Sequence, residues 1–216
     1  MPRRGGSLND AHDAPAYPIR RAARYLRIPK STLWSWVSGE DPVIEIPRVR
    51  WLSFNNLVEA KLLKELSSHG TGTRNVRTAV RWARKGGIDR LLLSEWVIAD
   101  GEVFIKHDGK LVNLSKGWNF ASDDLLAASL RRIERDEETG QPTKLHPPLP
   151  AGAHNSMAVT IDPLVMYGRP TVSRNCIPTW AIVQRVKSAR ESVGLVAYDY
   201  GIEREDVEDA ILFEAA

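Results

Sequence analysis

The chain has 216 residues, 43% of them hydrophobic, which is enough to build one or two domains with cores of their own. No apolar run approaches the roughly 18 residues of a membrane-spanning helix, and the N-terminal stretch MPRRGGSLNDAHDAPA lacks the apolar segment of a secretion signal, so we expect a cytoplasmic protein. Cys176 is the only cysteine, which excludes an intrachain disulfide and a zinc site built from cysteines.

The formal net charge of +3 is unevenly distributed along the chain. Residues 1–120 contain 20 Lys and Arg against 12 Asp and Glu, whereas residues 121–216 contain 10 against 15. This asymmetry favours a basic part that binds a polyanion and a more acidic part with another task. Ordinary variation in surface charge is the alternative, so the choice between them depends on the sequence pattern.

The first periodic segment predicts a helix-turn-helix. Residues 1–16 lack periodicity, and we expect a disordered leader there. From Ile19 to Leu26 the apolar residues recur at helical spacing, and Arg27-Ile28-Pro29 breaks the pattern. A second helix begins near Lys30, with Ser31 or Thr32 as a capping residue, and Gly39 ends it. Two short helices joined by a tight turn form the helix-turn-helix pattern.

The remainder of the basic half predicts a wing and further helices. Residues 43–47 (VIEIP) are predicted to form a short strand beside the helix-turn-helix, and residues 53–69 a long amphipathic helix. A second basic helix, and with it a second possible helix-turn-helix, is predicted over residues 73–85. The Asp-Gly pairs at 100–101 and 108–109 indicate a three-stranded meander within residues 91–114. A helix is expected from residue 122 to about 138.

The acidic half predicts a linker and a small helical domain. Residues 139–157 contain four prolines and are interpreted as the linker. A strand at 159–161, a turn at 168–170 and three helices at 178–189, 193–200 and 204–213 are expected after it. The predicted fold is therefore mainly α with small β (α+β): a winged helix-turn-helix domain over residues 17–138 and a C-terminal three-helix domain over residues 158–216.

The two basic helices are the candidate DNA-binding segments. A recognition helix needs short polar side chains at its N-terminus to reach base edges and cations nearby to bind phosphates. Both segments supply these types, although a solvated basic face is the alternative for each. The candidate DNA-binding residues are Arg20, Arg27, Lys30, Ser31, Thr32, Trp34, Ser35, Arg74, Asn75, Arg77, Thr78 and Arg81.

Catalysis has weaker support in the sequence. The five histidines fall in segments interpreted as leader, loop or linker, and none has a metal-binding spacing such as HExxH. No phosphate loop, dinucleotide fingerprint or GxSxG motif is present. The acidic pair at 123–124 and the charged run at 134–138 are interpreted as helix ends. Cys176 is interpreted as a buried structural thiol. We therefore expect no enzymatic activity, no bound metal and no cofactor.

Two stretches resemble known families. The N-terminal half resembles the MerR-like region of one subgroup of VapB-type antitoxins. The segments that carry this resemblance are YPIRRAARYLRIPKSTLWSWVSG, SFNNLVEAKLLKELSSHG and DGEVFIKHDGKLVNLS. Residues 161–215 resemble a small helical domain of unknown function that is often encoded beside PIN-domain ribonuclease toxins. Two departures stand out: Tyr167 occupies a position that is usually glycine, and Arg174-Asn175-Cys176 replaces the usual Gly-Thr-Arg.

The resemblance implies an antitoxin that represses its own operon. The N-terminal domain would bind operator DNA, with a homodimer pairing two half-sites. The C-terminal domain or the linker would dock on a PIN-domain toxin and present arginine to its acidic active site. The candidate arginines for that contact, chosen by their chemistry, are Arg169, Arg174, Arg185 and Arg190.

Three alternatives remain open from the sequence. A free-standing regulator of the MerR or excisionase type would share residues 17–120 but have no toxin partner. A nucleic-acid-processing enzyme would need a carboxylate constellation that the sequence does not show. A purely structural alternative makes the C-terminal domain a dimerisation module, which is compatible with the antitoxin hypothesis.

Overall fold

The computed structural model of the protein describes residues 8–68, 93–99, 102–107, 110–113 and 130–215, with the single positions 78, 80, 81, 88, 90, 127 and 128. Its helices are α1 (Leu8–Asp13), α2 (Ile19–Leu26), α3 (Lys30–Val37), α4 (Phe54–Ser68), α5 (Thr179–Val183), α6 (Val193–Tyr200) and α7 (Arg204–Ala215). Its strands are β1 (Tyr17–Pro18), β2 (Trp51–Leu52), β3 (Glu95–Ala99), β4 (Glu102–His107), β5 (Lys110–Asn113), β6 (Ile133–Arg135), β7 (Pro142–Leu145), β8 (Val159–Thr160) and β9 (Thr171–Val172).

The strands form four small antiparallel sheets, ordered β1-β2, β3-β4-β5, β6-β7 and β8-β9. The predicted fold class, mainly α with small β, is confirmed. The three-stranded meander is also confirmed, with Ala99 opposite Glu102 and His107 opposite Lys110 at its two turns. Helices α2, α3, α4, α6 and α7 lie where the apolar periodicity predicts helices.

Helix α4 is the centre of the N-terminal core. Its apolar side chains on several faces are fully buried, so α4 is surrounded by other elements instead of covering a core with one stripe. At its start, Ser53 Oγ accepts the Asn56 N–H at 3.1 Å and Asn56 Oδ1 accepts the Ser53 N–H at 3.0 Å. This reciprocal pair satisfies two backbone donors that would otherwise be unpaired in a buried helix end.

A buried ion pair attaches two other segments to α4. Glu59 is buried in α4, and Arg90 Nε and Nη2 lie 3.2 and 3.0 Å from its carboxylate. The third nitrogen of Arg90, Nη1, lies 2.6 Å from Asp13 of α1. Burial raises the pKa of Glu59, and the hydrogen bonds from Arg90 and Asn56 oppose that shift. Removal of one partner would leave a buried charge unpaired, which typically costs about 3–5 kcal/mol.

The predicted disordered leader is wrong for residues 8–16. Helix α1 lies against α4, where the buried His12 ring meets Phe54 edge-on at 5.5 Å. Asp13 accepts hydrogen bonds from Asn55 and Arg90 at 3.0 and 2.6 Å. These contacts come from residues far along the chain, so the local lack of periodicity gives no sign of them.

The predicted wing strand over residues 43–47 is also wrong. Val43 and Ile44 are buried, but the Ile44 N–H donates to the carbonyl of Trp36 at 3.0 Å and the Glu45 carbonyl accepts from Asn56. Pro42 and Pro47 flank the segment and have no N–H to donate to a ladder. The segment is an irregular connection that closes one side of the core.

The helix predicted to reach about residue 138 ends earlier. Residues 131–132 form a turn, and β6 and β7 form a hairpin in which Glu134 lies opposite Lys144. Lys144 Nζ donates to Glu134 Oε2 at 2.8 Å. Asp136 Oδ1 accepts the N–H of Thr139 at 2.8 Å, which is a turn that competes with helix continuation. Strand β7 falls inside the predicted linker, and the linker interpretation is therefore wrong for these residues.

A chain of polar contacts connects this hairpin to β8 and β9. The buried His146 places Nε2 2.8 Å from Glu134 and Nδ1 3.2 Å from Thr160 Oγ1. Thr160 Oγ1 lies 2.5 Å from Ser173 Oγ, which donates to the Met157 carbonyl. His12 and His146 are thus buried structural residues instead of leader and linker residues.

The C-terminal segment has the three predicted helical regions, with one difference. Helix α5 is followed by a π-helical turn, Gln184–Ser188, where a single regular helix is predicted. Helix α6 begins at the capping residue Ser192 and ends at Gly201, whose φ is 63°. Cys176 is exposed with a φ of 61°, so the predicted burial of its thiol is wrong. A separate apolar cluster joins these helices, comprising Val172, Ile182, Val196, Ala197, Ile202, Val207 and Ala210.

The C-terminal segment packs directly on α2. Phe213 of α7 belongs to the N-terminal apolar cluster and lies 5.6 Å from the Tyr25 ring. Arg24 pairs with Glu214 at 2.9 Å. Gly168, with a φ of 71°, lies so close to the buried Tyr17 ring that an added Cβ would be 2.1 Å from Tyr17 Oη. The orientation of α2 is therefore set partly by residues 168–214.

We expect Gly168→Ala to lower the free energy of unfolding by about 3 kcal/mol, because it combines left-handed backbone strain with a steric clash. The Tyr17 hydroxyl is buried and has no hydrogen-bond partner among the described residues, so Tyr17→Phe should raise stability by about 1 kcal/mol. Urea denaturation of both single variants and the double variant tests this. If the packing account is right, Tyr17→Phe recovers part of the Gly168→Ala loss; strictly additive changes would contradict it.

Candidate nucleic-acid interface

The turn between α2 and α3 has a defined backbone geometry. Arg27 has a left-handed φ of 53°, and its N–H and that of Ile28 donate back to the carbonyls of Arg24 and Ala23 at 3.1 and 2.9 Å. This arrangement ends α2 and redirects the chain. Helix α3 starts directly after Pro29, and no side chain caps it. The prediction that Ser31 or Thr32 caps α3 is therefore wrong, and both residues lie inside its first turn.

The apolar sides of the two helices fix them to the protein core. The buried residues they share with that core are Ile19, Ala22, Ala23, Tyr25, Leu26, Leu33, Trp36 and Val37. Lys64 of α4 donates from Nζ to the Leu26 carbonyl at 3.0 Å and so satisfies a carbonyl at the end of α2. The opposite sides of α2 and α3 are left facing outward.

The charged residues that α2 and α3 contribute to the outward side are all basic. Residues 17–37 contain five Lys and Arg and no Asp or Glu. The exposed residues predicted to bind DNA in this segment are Arg20, Arg27, Lys30, Ser31, Trp34 and Ser35, and Thr32 is half-buried. Because no acidic residue alternates with these cations within the two helices, their fields add instead of cancelling.

The first turns of α3 carry three hydroxyl groups. Ser31 and Ser35 are exposed, and Ser35 Oγ donates to the Thr32 carbonyl at 2.7 Å. The side chain of Trp34, 39% exposed, presents an apolar surface beside them. Short hydroxyl side chains at the start of an exposed helix match the chemistry of base-edge recognition.

Two further exposed cations lie on the segment that pairs with the start of α2, and the candidate DNA-binding residues chosen from the sequence do not include them. Arg48 and Arg50 are exposed on the turn before β2, and the Arg50 carbonyl accepts the Ile19 N–H at 2.9 Å. The guanidinium of Arg48 lies 5.7 Å from the centre of the Trp51 ring. The basic run PRVRW at residues 47–51 is the feature of the sequence that indicates these two arginines, but the predicted wing covers residues 43–47.

The second basic helix is only partly within the described structure. Arg74, Asn75 and Arg77 lie outside the described residues, whereas Thr78 is exposed in helical conformation. Arg81 pairs with Asp41 at 2.5 Å, just beyond the end of α3. This exposed pair contributes little stability, but it shows that residue 81 lies next to the helix-turn-helix.

The four C-terminal arginines have different surroundings. Arg174 lies 3.6 Å from both Glu203 and Asp206. Arg185 pairs with Glu191 and Asp199 and lies over the Tyr200 ring, and these carboxylates raise its pKa. In the described part of the chain, Arg169 and Arg190 have no acidic partner. They are therefore the two arginines best placed to pair with another molecule.

Comparison with known proteins finds one family model that matches the C-terminal segment. Residues 159–213 match the family described as "Protein of unknown function (DUF433)". The whole fold is similar to a crystal structure of Rv2018 from Mycobacterium tuberculosis, with a TM-score of 0.70 and 21% identity over 93% of this chain and 99% of that one. No curated protein matches. Within the described ranges, no helix is long and apolar enough to cross a membrane.

We expect Arg27→Gly to raise the free energy of unfolding by about 1 kcal/mol, because glycine adopts the left-handed conformation at residue 27 without strain. Arg20→Gly is the matched control, since it removes the same side chain inside α2 and should cost roughly 0.5 kcal/mol. Thermal or urea unfolding measures both. A loss of stability in Arg27→Gly would mean that the Arg27 side chain, not its backbone, holds the turn.

Proposed function

We propose that this protein is a non-enzymatic DNA-binding repressor in which α2 and α3 form the DNA-binding unit. The observation that carries the proposal is the outward side of these helices, which combines exposed cations with hydroxyl side chains in the first turns of α3. In this account α3 enters the major groove, while Arg20, Arg27 and Lys30 bind phosphates. Arg81 lies beside the end of α3, where Asp41 pairs with it.

We propose further that the repressor is the antitoxin of a toxin–antitoxin pair. Support comes from the resemblance of the N-terminal region to VapB-type antitoxins and from residues 159–213, which match a family of unknown function and follow the proposed DNA-binding segment. In this account the C-terminal segment neutralises a PIN-like ribonuclease toxin, and a homodimer in the cytoplasm binds paired operator half-sites. The second candidate is a free-standing regulator without a toxin, which uses the same DNA-binding surface.

Base contacts and phosphate contacts should separate in a salt titration. Ser31→Ala/Thr32→Ala should lower the affinity ratio of promoter DNA to shuffled DNA about tenfold and leave the salt slope unchanged, because these side chains reach base edges. Arg20→Ala/Lys30→Ala should weaken binding to both DNAs and reduce the log–log salt slope by about two. Fluorescence anisotropy between roughly 50 and 200 mM salt measures both effects. An equal loss on all DNA sequences for Ser31→Ala/Thr32→Ala would assign those residues to the backbone.

Co-expression with the product of the adjacent gene tests the antitoxin proposal. With only that neighbour tagged, we expect the chain to co-purify and to suppress any growth arrest that the neighbour causes. Arg190→Glu should weaken the complex about tenfold or more, because the introduced carboxylate would repel an acidic site. Arg20→Glu is the control on the DNA-binding side and should leave the complex intact. Failure to associate, together with retained promoter binding, would favour the free-standing regulator.

A further inference from the structure

A cleft separates α2 from the loop that precedes β9. Its volume is about 390 Å³, and its lining includes Tyr17, Arg21, Tyr25, Tyr167, Gly168 and Arg169. A neighbouring depression of about 400 Å³ is lined by Pro18, Arg20, Arg21 and Arg24. Because Arg21 lines both, the basic side of α2 continues into the cleft and reaches Arg169 of the C-terminal segment.

The charge of the cleft is not neutralised within the described structure. Neither Arg21 nor Arg169 forms an ion pair with a described acidic residue, whereas their neighbour Arg24 is held by Glu214. Asp162 raises the pKa of Tyr17, after the larger effects of burial and Tyr25, but its Oδ1 accepts the Leu164 N–H at 2.8 Å. Arg21 and Arg169 therefore line a shared space, and neither is paired with an acidic residue in the described part of the chain.

The rim of the cleft is strained. Met166, Tyr167 and Gly168 have successive left-handed φ values of 48°, 56° and 71°. This conformation costs roughly 1–2 kcal/mol for each residue other than glycine. The Tyr167 side chain is 94% exposed, so packing inside the protein does not compensate for the strain. Strain of this kind is characteristic of residues positioned for contact with another molecule.

We propose that this cleft binds a phosphate of the DNA backbone, held between Arg21 and Arg169, with the Tyr167 ring packed against the adjoining sugar. The inference rests on the proposed DNA binding and extends the DNA-binding surface from α2 onto the C-terminal segment. A guanidinium pairs with phosphate through two parallel N–H···O bonds, which suits a site with an arginine on each wall. Arg169, predicted from the sequence to contact a toxin, is thereby reassigned to DNA.

The test compares Arg169→Gln with Arg190→Gln in the full-length protein. Both remove one positive charge from the C-terminal segment, but Arg190 does not line the cleft. Arg169→Gln should weaken promoter and shuffled DNA alike by about tenfold and reduce the salt slope by about one, and Arg169→Lys should restore the slope. Arg190→Gln should leave both quantities unchanged. Tyr167→Gly, which relaxes the left-handed turn, should bind DNA more weakly while unfolding at a higher temperature.

The outcomes separate this inference from the function on which it rests. If the unmodified protein binds no DNA, the proposed function fails and the inference fails with it. If the unmodified protein binds DNA and Arg169→Gln behaves like Arg190→Gln, only the phosphate cleft is overturned. Retained DNA affinity in Arg169→Gln with loss of association with the neighbouring gene product would likewise overturn it, and would assign Arg169 to the protein partner.

Discussion

Burial of α4 on several faces is the constraint on which the N-terminal half depends. A buried charge on such a helix needs a partner within the protein, because water does not reach it. Glu59 therefore needs Arg90, and Lys61 pairs with Glu65 at 2.5 Å within the helix. The Arg90 pair in turn positions Asp13 and brings α1 against α4. Polar satisfaction and apolar packing thus favour the same arrangement.

Helix α2 is held between this core and the C-terminal segment. Lys64 of α4 binds the carbonyl of Leu26 at one end of α2, while Phe213 and Glu214 of α7 contact Tyr25 and Arg24 on its side. With its apolar side fixed by both groups, α2 presents its arginines outward on a rigid support. A charged surface supported in this way loses little backbone entropy when it binds, which favours affinity.

Local periodicity predicted the elements whose burial depends on their own sequence. The apolar spacing located α2, α3 and α4, and the sequence around the two Asp-Gly pairs predicted the antiparallel strands β3, β4 and β5. Helix α6 ends at Gly201 for a local reason, because glycine tolerates the left-handed conformation there. The exposure of Arg20, Lys30 and Ser31 was predictable from the helical spacing, because these residues fall outside the apolar stripes of α2 and α3.

Features that depend on distant partners were not predictable from local pattern. Helix α1 is stabilised by Phe54 and Arg90, and the hairpin β6–β7 by Lys144 and His146 acting on Glu134. The charged run at residues 134–138 has a composition that suits helices, which is why a helix was predicted there. The cleft that Arg21 and Arg169 both line is the clearest case, because these two residues are 148 positions apart in the sequence.

The most direct test of the account is the backbone amide NMR spectrum of the labelled protein during titration with its own promoter DNA. We predict that amide signals of α2, the turn at Arg27, the first turns of α3 and residues 167–169 of the cleft shift strongly, while those of α6 shift little. A saturable response confined to those signals would locate DNA on the surface described above. Shifts spread evenly over the chain, or confined to the C-terminal helices, would contradict the proposal that α2 and α3 form the DNA-binding unit.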